Sequence, residues 1–311
     1  MLTRRKMLAA TAASSLIANG RPTLADPTPT GLGAIRAVTI TSGDLAMAEH
    51  AWTTFMDYRV VDRGRVPHDV AVSWGAPAVS GRNYVALGPA SGEPTVLRFV
   101  DQPMPPGYSP VGALGWSTTE ITVRNSDQLY DRIRESPFKI LHPPHVIPTY
   151  PYLKAMQAEG PSGERLNLTW INPPQPGIAV AESFVGRCFI AVQGTSDLPG
   201  ALRFFQETFG NDVGPIRIVP EVPKIELAVV NLADGCKIEA DQYPPGARPK
   251  PRPDGGLPPG LSLVSFECPA FGRLANRRLT PPVRASMAPF NGRRAATVVG
   301  FSGELIELIE V

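Results

Sequence analysis

The sequence predicts an α+β protein built from four successive βαβββ units in two tandem halves. Three observations lead there. First, the run Gly300-Phe301-Ser302-Gly303-Glu304-Leu305-Ile306-Glu307-Leu308 has a near-twin in Gly160-Pro161-Ser162-Gly163-Glu164-Arg165-Leu166-Asn167-Leu168. Each is a Gly-X-Ser-Gly turn feeding a strand of alternating side chains. Second, the segments ahead of them also match: Leu141-His142-Pro143-Pro144-His145 before one, Leu279-Thr280-Pro281-Pro282-Val283 before the other. Third, the connectors repeat, with Asp101-Gln102-Pro103-Met104-Pro105-Pro106-Gly107 answered by Asp241-Gln242-Tyr243-Pro244-Pro245-Gly246. Matched landmarks at similar separation mark a duplicated chain, with halves at 31–172 and 187–311.

In chain order, Ile35 to Thr41 has the pattern of a strand, and Asp44 is placed to cap a helix running to about Met56. A carboxylate there can accept a free backbone N–H of the first turn. The apolar positions Leu45, Ala48, Ala51, Trp52 and Phe55 recur at helical spacing. Strand-like runs follow at Tyr58 to Val61, Tyr84 to Leu87 and Val96 to Val100. The order returns with Glu120 to Asn125, a helix around Asp127 to Arg134, and strands ending at Leu166 to Ile171. It returns again with Cys188 to Gln193, a helix through Leu202, Phe205 and Phe209, and strands at Ile225 to Asn231 and Cys236 to Ala240. A fourth, shorter round opens at Leu261 to Glu267 and closes on the C-terminal run. The basic, proline-rich run Ala247 to Pro253 is expected to be a solvated connector.

Composition sets outer bounds. A chain of 311 residues with 43% hydrophobic and 19% charged residues can bury a large core. A formal net charge of +2 with no basic patch interleaved with aromatics argues against nucleic acid as a partner. Arg4-Arg5-Lys6 ahead of a short apolar segment, with Thr23-Leu24-Ala25 before Asp26, predicts an export signal over residues 1–25 of twin-arginine type. Its destination would be the periplasm or the exterior. No segment has the length of a spanning helix, so no stable membrane anchor is expected. Three cysteines, Cys188, Cys236 and Cys268, leave at least one thiol unpaired within a monomer and are expected as small hydrophobes.

A strand, an Asp-Leu-capped helix and three strands closing on Gly-X-X-Gly-Glu-X-Leu-Glu-Leu together resemble the module of the vicinal oxygen chelate superfamily. That superfamily includes the glyoxalase I, bleomycin-resistance and extradiol-dioxygenase families. The residues carrying the resemblance are Ala37 to Leu45, Thr118 to Leu129, Ile190 to Phe209, Gly160 to Leu168 and Gly300 to Leu308. It implies paired modules curled into open barrels, a divalent metal in the barrel mouth, and metal ligands on first and last strands. An ion with open positions would there neutralise charge developing on a substrate's adjacent oxygens.

Carried over residue by residue, the last-strand ligand position holds Arg98, Asn167, Glu239 and Glu307 in the four modules. The first-strand position holds Ala37, then Thr118 or Glu120, then Phe189 or Ile190, then about Ser262. The ligand histidines of an iron dioxygenase are absent, which disfavours that activity. The resemblance implies a lyase or isomerase acting on a small molecule, with Glu307 as ligand or general base. Glu239 and the pair His142 and His145 are further candidate ligands, and Arg98 and Asn167 candidate substrate contacts. The alternative is a metal-free protein that binds or sequesters a small molecule, as bleomycin-resistance proteins do. The fold is also compatible with a homodimer.

Overall fold

The structure is a computed structural model, and it describes residues 31–108, 112–219 and 225–311. The export signal expected over residues 1–25 lies outside the described residues. The first module comprises β1 (Ile35–Ser42), α1 (Leu45–Phe55), β2 (Tyr58–Arg65), α2 (His68–Ser73), β3 (Asn83–Pro89) and β4 (Val96–Asp101). The second comprises β5 (Ala113–Val123), α3 (Ser126–Ile133), β6 (Lys139–Ile147), β7 (Tyr150–Glu159) and β8 (Arg165–Ile171). The third comprises β9 (Val185–Thr195), α4 (Leu198–Phe209), β10 (Arg217–Val219), β11 (Ile225–Asn231) and β12 (Lys237–Gln242). After β13 (Arg248–Pro249), the fourth comprises β14 (Leu261–Cys268), β15 (Val283–Arg284), β16 (Arg294–Val299) and β17 (Leu305–Glu310).

Capping chemistry sets where the helices begin. Asp44 accepts from the Met47 N–H at 2.9 Å, Asn125 from Asp127 and Gln128, and Asp197 from Gly200. The fourth module has no such cap. A 3₁₀ segment, Phe271–Arg277, stands there in place of an α-helix.

The strands form two curled sheets, half-barrels of eight and nine strands. One runs β15-β16-β17-β14-β1-β4-β3-β2 and the other β10-β11-β12-β9-β5-β8-β7-β6, with β13 pairing with β5 off that path. Pairing therefore does not follow the sequence halves 31–172 and 187–311. Module one joins module four through the antiparallel β1–β14 contact, and module two joins module three through β5–β9. Each half of the duplicated chain contributes one module to each half-barrel. The first strands are central in both sheets, so the open edges of like modules meet across the duplication.

Side-chain alternation divides each sheet into two faces. Val38, Ile40, Leu97, Val264, Ile306, Ile121, Leu168, Ala191 and Ile238 join one apolar cluster with Trp52, Leu129 and Phe205 of the helices. The other faces turn into the two half-barrels. One is lined by Trp74, Val100, Leu263, Phe290, Leu305 and Ile309. The other holds Leu153, Ala155, Ile171, Ile190 and Val192.

The repeated Gly-X-Ser-Gly-Glu motif is a joint. Glu164 folds back so that Oε2 accepts the Ser162 N–H at 2.9 Å, and Glu304 does the same with Ser302 at 2.9 Å. The second glycine of each motif sits at positive φ, +78° at Gly163 and +83° at Gly303, which a side chain rarely tolerates. The free oxygen of each glutamate then reaches another module. Trp52 Nε1 donates to Glu164 Oε1 at 2.9 Å, and Gln193 Nε2 to Glu304 Oε1 at 2.6 Å. Burial pushes both carboxyls up to about 7, against the hydrogen bonds that favour the anion.

The connector Ala247 to Pro253 is exposed or half-exposed along its length, and it is also anchored to the protein. Arg248–Pro249 pairs with β5, Lys250 Nζ donates to Leu261 O at 2.7 Å, and Arg252 Nη2 donates to Trp74 O and Gly75 O. Its backbone and cations thereby bond to groups of both half-barrels. Cys188, Cys236 and Cys268 are buried free thiols, as small core hydrophobes would be.

Candidate functional site

Strand register defines the inner ring of each half-barrel. In the first, Thr39 pairs with Arg98 across β1 and β4, and Ser265 with Glu307 across β14 and β17. In the second, Glu120 pairs with Asn167 across β5 and β8, and Val192 with Glu239 across β9 and β12. Four of the six site residues expected from sequence thus fall on these rings, two on each.

The first ring is closed by its own charges. Arg98 Nη2 donates to Glu307 Oε2 at 3.1 Å, and the two side chains are 0% and 1% exposed. Ser265 Oγ donates to the same oxygen and Trp74 Nε1 to the other. Arg98 also donates from Nε and Nη2 to Thr39 Oγ1, at 3.1 and 2.8 Å, and from Nη1 to Ala288 O at 3.4 Å. Its guanidinium lies 4.6 Å from the centroid of Trp74 and 5.4 Å from that of Phe290. Both oxygens of Glu307 are occupied, and Trp74 and Phe290 lie buried against the Arg98 guanidinium. This leaves Glu307 without the open side that a ligand or base needs, and Arg98 without the open side that a substrate contact needs.

The second ring is acidic. Glu120, Glu239 and Asp241 are all fully buried and share the inner face. Thr169 Oγ1 donates to Glu120 Oε1 at 2.6 Å. Burial pushes Glu120 up to about 8; hydrogen bonds from Thr169 and Asn167 oppose this, and the Asp241 charge adds to it. Burial also raises Asp241, against a hydrogen bond with Glu239. Tyr243, raised by burial, senses both Asp241 and Glu239. Thr169 also lines a cavity of about 250 Å³, with Thr122, Trp170, Ile171, Asn172 and Val180.

The other expected candidates are placed apart. His142 and His145 lie on the edge strand β6, not in a loop, opposite Gln157 and Ala155. His142 is half-buried, held below the usual imidazole range by burial and by His145, and His145 Nδ1 is 3.1 Å from Pro143 O. Among the described residues no three His, Cys, Asp or Glu side chains gather into a group able to hold a metal ion. With a guanidinium in the first ring and no histidine in either, the residues present do not fit the fold's metal.

Sequence reasoning missed Trp74, Thr169 and Asp241. Trp74 sits in an insertion between β2 and β3 that has no counterpart in the repeat. Asp241 reads as the start of a connector, yet it is the inward residue two after Glu239 on β12. Its one visible signal is that spacing, since i and i+2 of a strand share a face.

Solved structures decide the fold. A variant of glyoxalase I from Zea mays superposes with a TM-score of 0.63 at 14% identity, covering 89% of this chain and 93% of its own. Glyoxalase I from Zea mays gives 0.59 at 15% identity over 89% and 92%. The chain has the vicinal oxygen chelate fold. A dioxygenase-like protein from Bacillus subtilis also matches this fold, with a TM-score of 0.59 at 13% identity over 90% and 86%. No protein-family model and no curated protein matches the sequence. Among the described residues, no helix is long and apolar enough to cross a membrane.

Proposed function

We propose that this protein acts on a small molecule in the half-barrel of modules two and three, by proton transfer at Glu120. The reaction class is an isomerase or lyase step that moves a proton at carbon. The observation carrying this reading is the buried Glu120 carboxyl, pushed up to about 8 by burial and joined through Thr169 to the wall of a cavity of about 250 Å³. A proton carrier works best with a pKa near the operating pH, and burial next to like charge is how a carboxyl is brought there. Thr169 and Asn167 orient the group through their hydrogen bonds to it. The half-barrel of modules one and four serves as scaffold.

Deuterium incorporation into a panel of small α-hydroxy and α-amino carbonyl compounds, followed by proton NMR in D₂O, tests the reading. Exchange with the wild type that falls ~100-fold or more in Glu120→Gln is the expected outcome. Saturable binding without exchange would move the assignment to a binding protein. Exchange untouched by Glu120→Gln would remove Glu120 from the chemistry.

A further inference from the structure

The cavity that Thr169 lines sits at the C-terminal ends of two parallel strands, β5 and β8, with Val180 and Ala181 of the segment leading to β9 in its wall. Thr122 and Thr169 are register partners on this strand pair, and both line the cavity. Arg124 lines it too. It stands two residues past Thr122, about 7 Å on at the rise of a strand. Among the described residues it is the only charged residue of the lining.

The guanidinium of Arg124 is held along one edge. Nε donates to Ala181 O at 3.5 Å and Nη2 to Glu182 O, while the Arg124 backbone N–H donates to Phe184 O at 3.0 Å. Nε and Nη2 form one edge of the planar group. The other edge, Nη1 with the second N–H of Nη2, has no acceptor among the described residues. That edge is the fork that matches the two oxygens of a carboxylate.

The repeat shows that the module does not need this cation. Arg124 is the residue just before the helix cap Asn125, and the residues just before the caps Asp44 and Asp197 are Gly43 and Ser196. One guanidinium balances one negative charge, and the lining holds no second cation for a phosphate dianion.

We infer that the cavity takes a short oxo monocarboxylate, its carboxylate on Arg124 and its carbonyl end against Thr122 and Thr169. This rests on the reading of the cavity beside Glu120 as the substrate site; it names the substrate class and makes Arg124 the residue that selects it.

The test uses the full chain and two probes of equal shape, 4-oxopentanoate and 4-oxopentanamide, titrated while ¹⁵N-¹H NMR follows the backbone amides. The acid is expected to bind at least tenfold tighter than the amide, with shifts at Thr122, Arg124, Thr169 and Asn172. Arg124→Gln is expected to abolish that preference, and Arg124→Lys, which keeps the charge without the fork, to retain only part of it. Arg203→Gln, exposed on α4, leaves it unchanged. Thermal melts of each variant separate loss of binding from loss of fold. Equal binding of both probes by the wild type, a preference that survives Arg124→Gln, or no shift at those amides would each overturn the inference. Deuterium exchange that depends on Glu120 beside equal binding of acid and amide would sink this inference alone. Selective binding of the acid without exchange would instead sink proton transfer at Glu120 and leave the carboxylate site standing.

Discussion

Arg98 and Glu307 stand 209 residues apart in the chain and 3.1 Å apart in the fold, both sealed from solvent. The pair links the last strand of the first module to the last strand of the fourth. Breaking one partner leaves a buried charge alone, which costs ~3–5 kcal/mol, whereas replacing both by apolar groups of like volume is often neutral or stabilising. Arg98→Met is therefore expected to lower stability by that amount, and Arg98→Met with Glu307→Leu to recover most of it. Urea unfolding midpoints of the two variants check this.

Glu164 ties the second module to the first through Trp52. Trp52→Phe keeps an aromatic side chain and removes the donor with part of the indole, leaving a buried oxygen of Glu164 without its partner. A loss of ~1–3 kcal/mol is expected. Trp52→Phe combined with Glu164→Gln should lose less than the two single effects added, because they break one bond.

Stability should fall as pH rises from about 5 to about 8. Burial raises Glu164 and Glu304 to about 7 and Glu120 to about 8. The native state then holds more protons than the unfolded chain across that window, and stability declines where this is so. Denaturation midpoints measured at pH 5, 6, 7 and 8 give the slope, and Glu304→Gln should flatten its lower part. A slope of the opposite sign would contradict the burial of these groups.

Thr169→Val should raise the Glu120 titration midpoint further, since the Thr169 hydroxyl donates to the anion and favours it. Carboxyl ¹³C NMR of Glu120 reads this directly. A proton-transfer rate that depends on Glu120 should shift its pH profile upward by the same amount.

The duplicated Gly-X-Ser-Gly-Glu turn, the helix caps Asp44 and Asp197 and the alternating strands are local patterns, and these alone led to the modules. Partner choice between modules is not local. Nothing in β1 as a string says that it meets β14 and not β5, so the joining of modules one and four could not be seen. The same holds for the site. Arg98 and Glu307 were legible as inward last-strand residues, but their mutual neutralisation depends on that pairing and on Trp74, which belongs to no repeat. Glu239 and Asn167 were legible for the same reason, whereas Asp241 was hidden by its likeness to Asp101 at the head of a connector.

The pairing of module one with module four encloses modules two and three as an inner pair of brackets. As the chain leaves the ribosome, the inner half-barrel can close once β12 has emerged. β1 must wait for β14, and Arg98 on β4 for Glu307, which follows it by 209 residues. Until they emerge, Arg98 lacks the Glu307 counter-charge, and the first module keeps an open strand edge and an uncovered apolar face. Such exposed edges invite wrong partners. Loss of only the last strand, Leu305–Glu310, would thus strand the first module as well as the fourth.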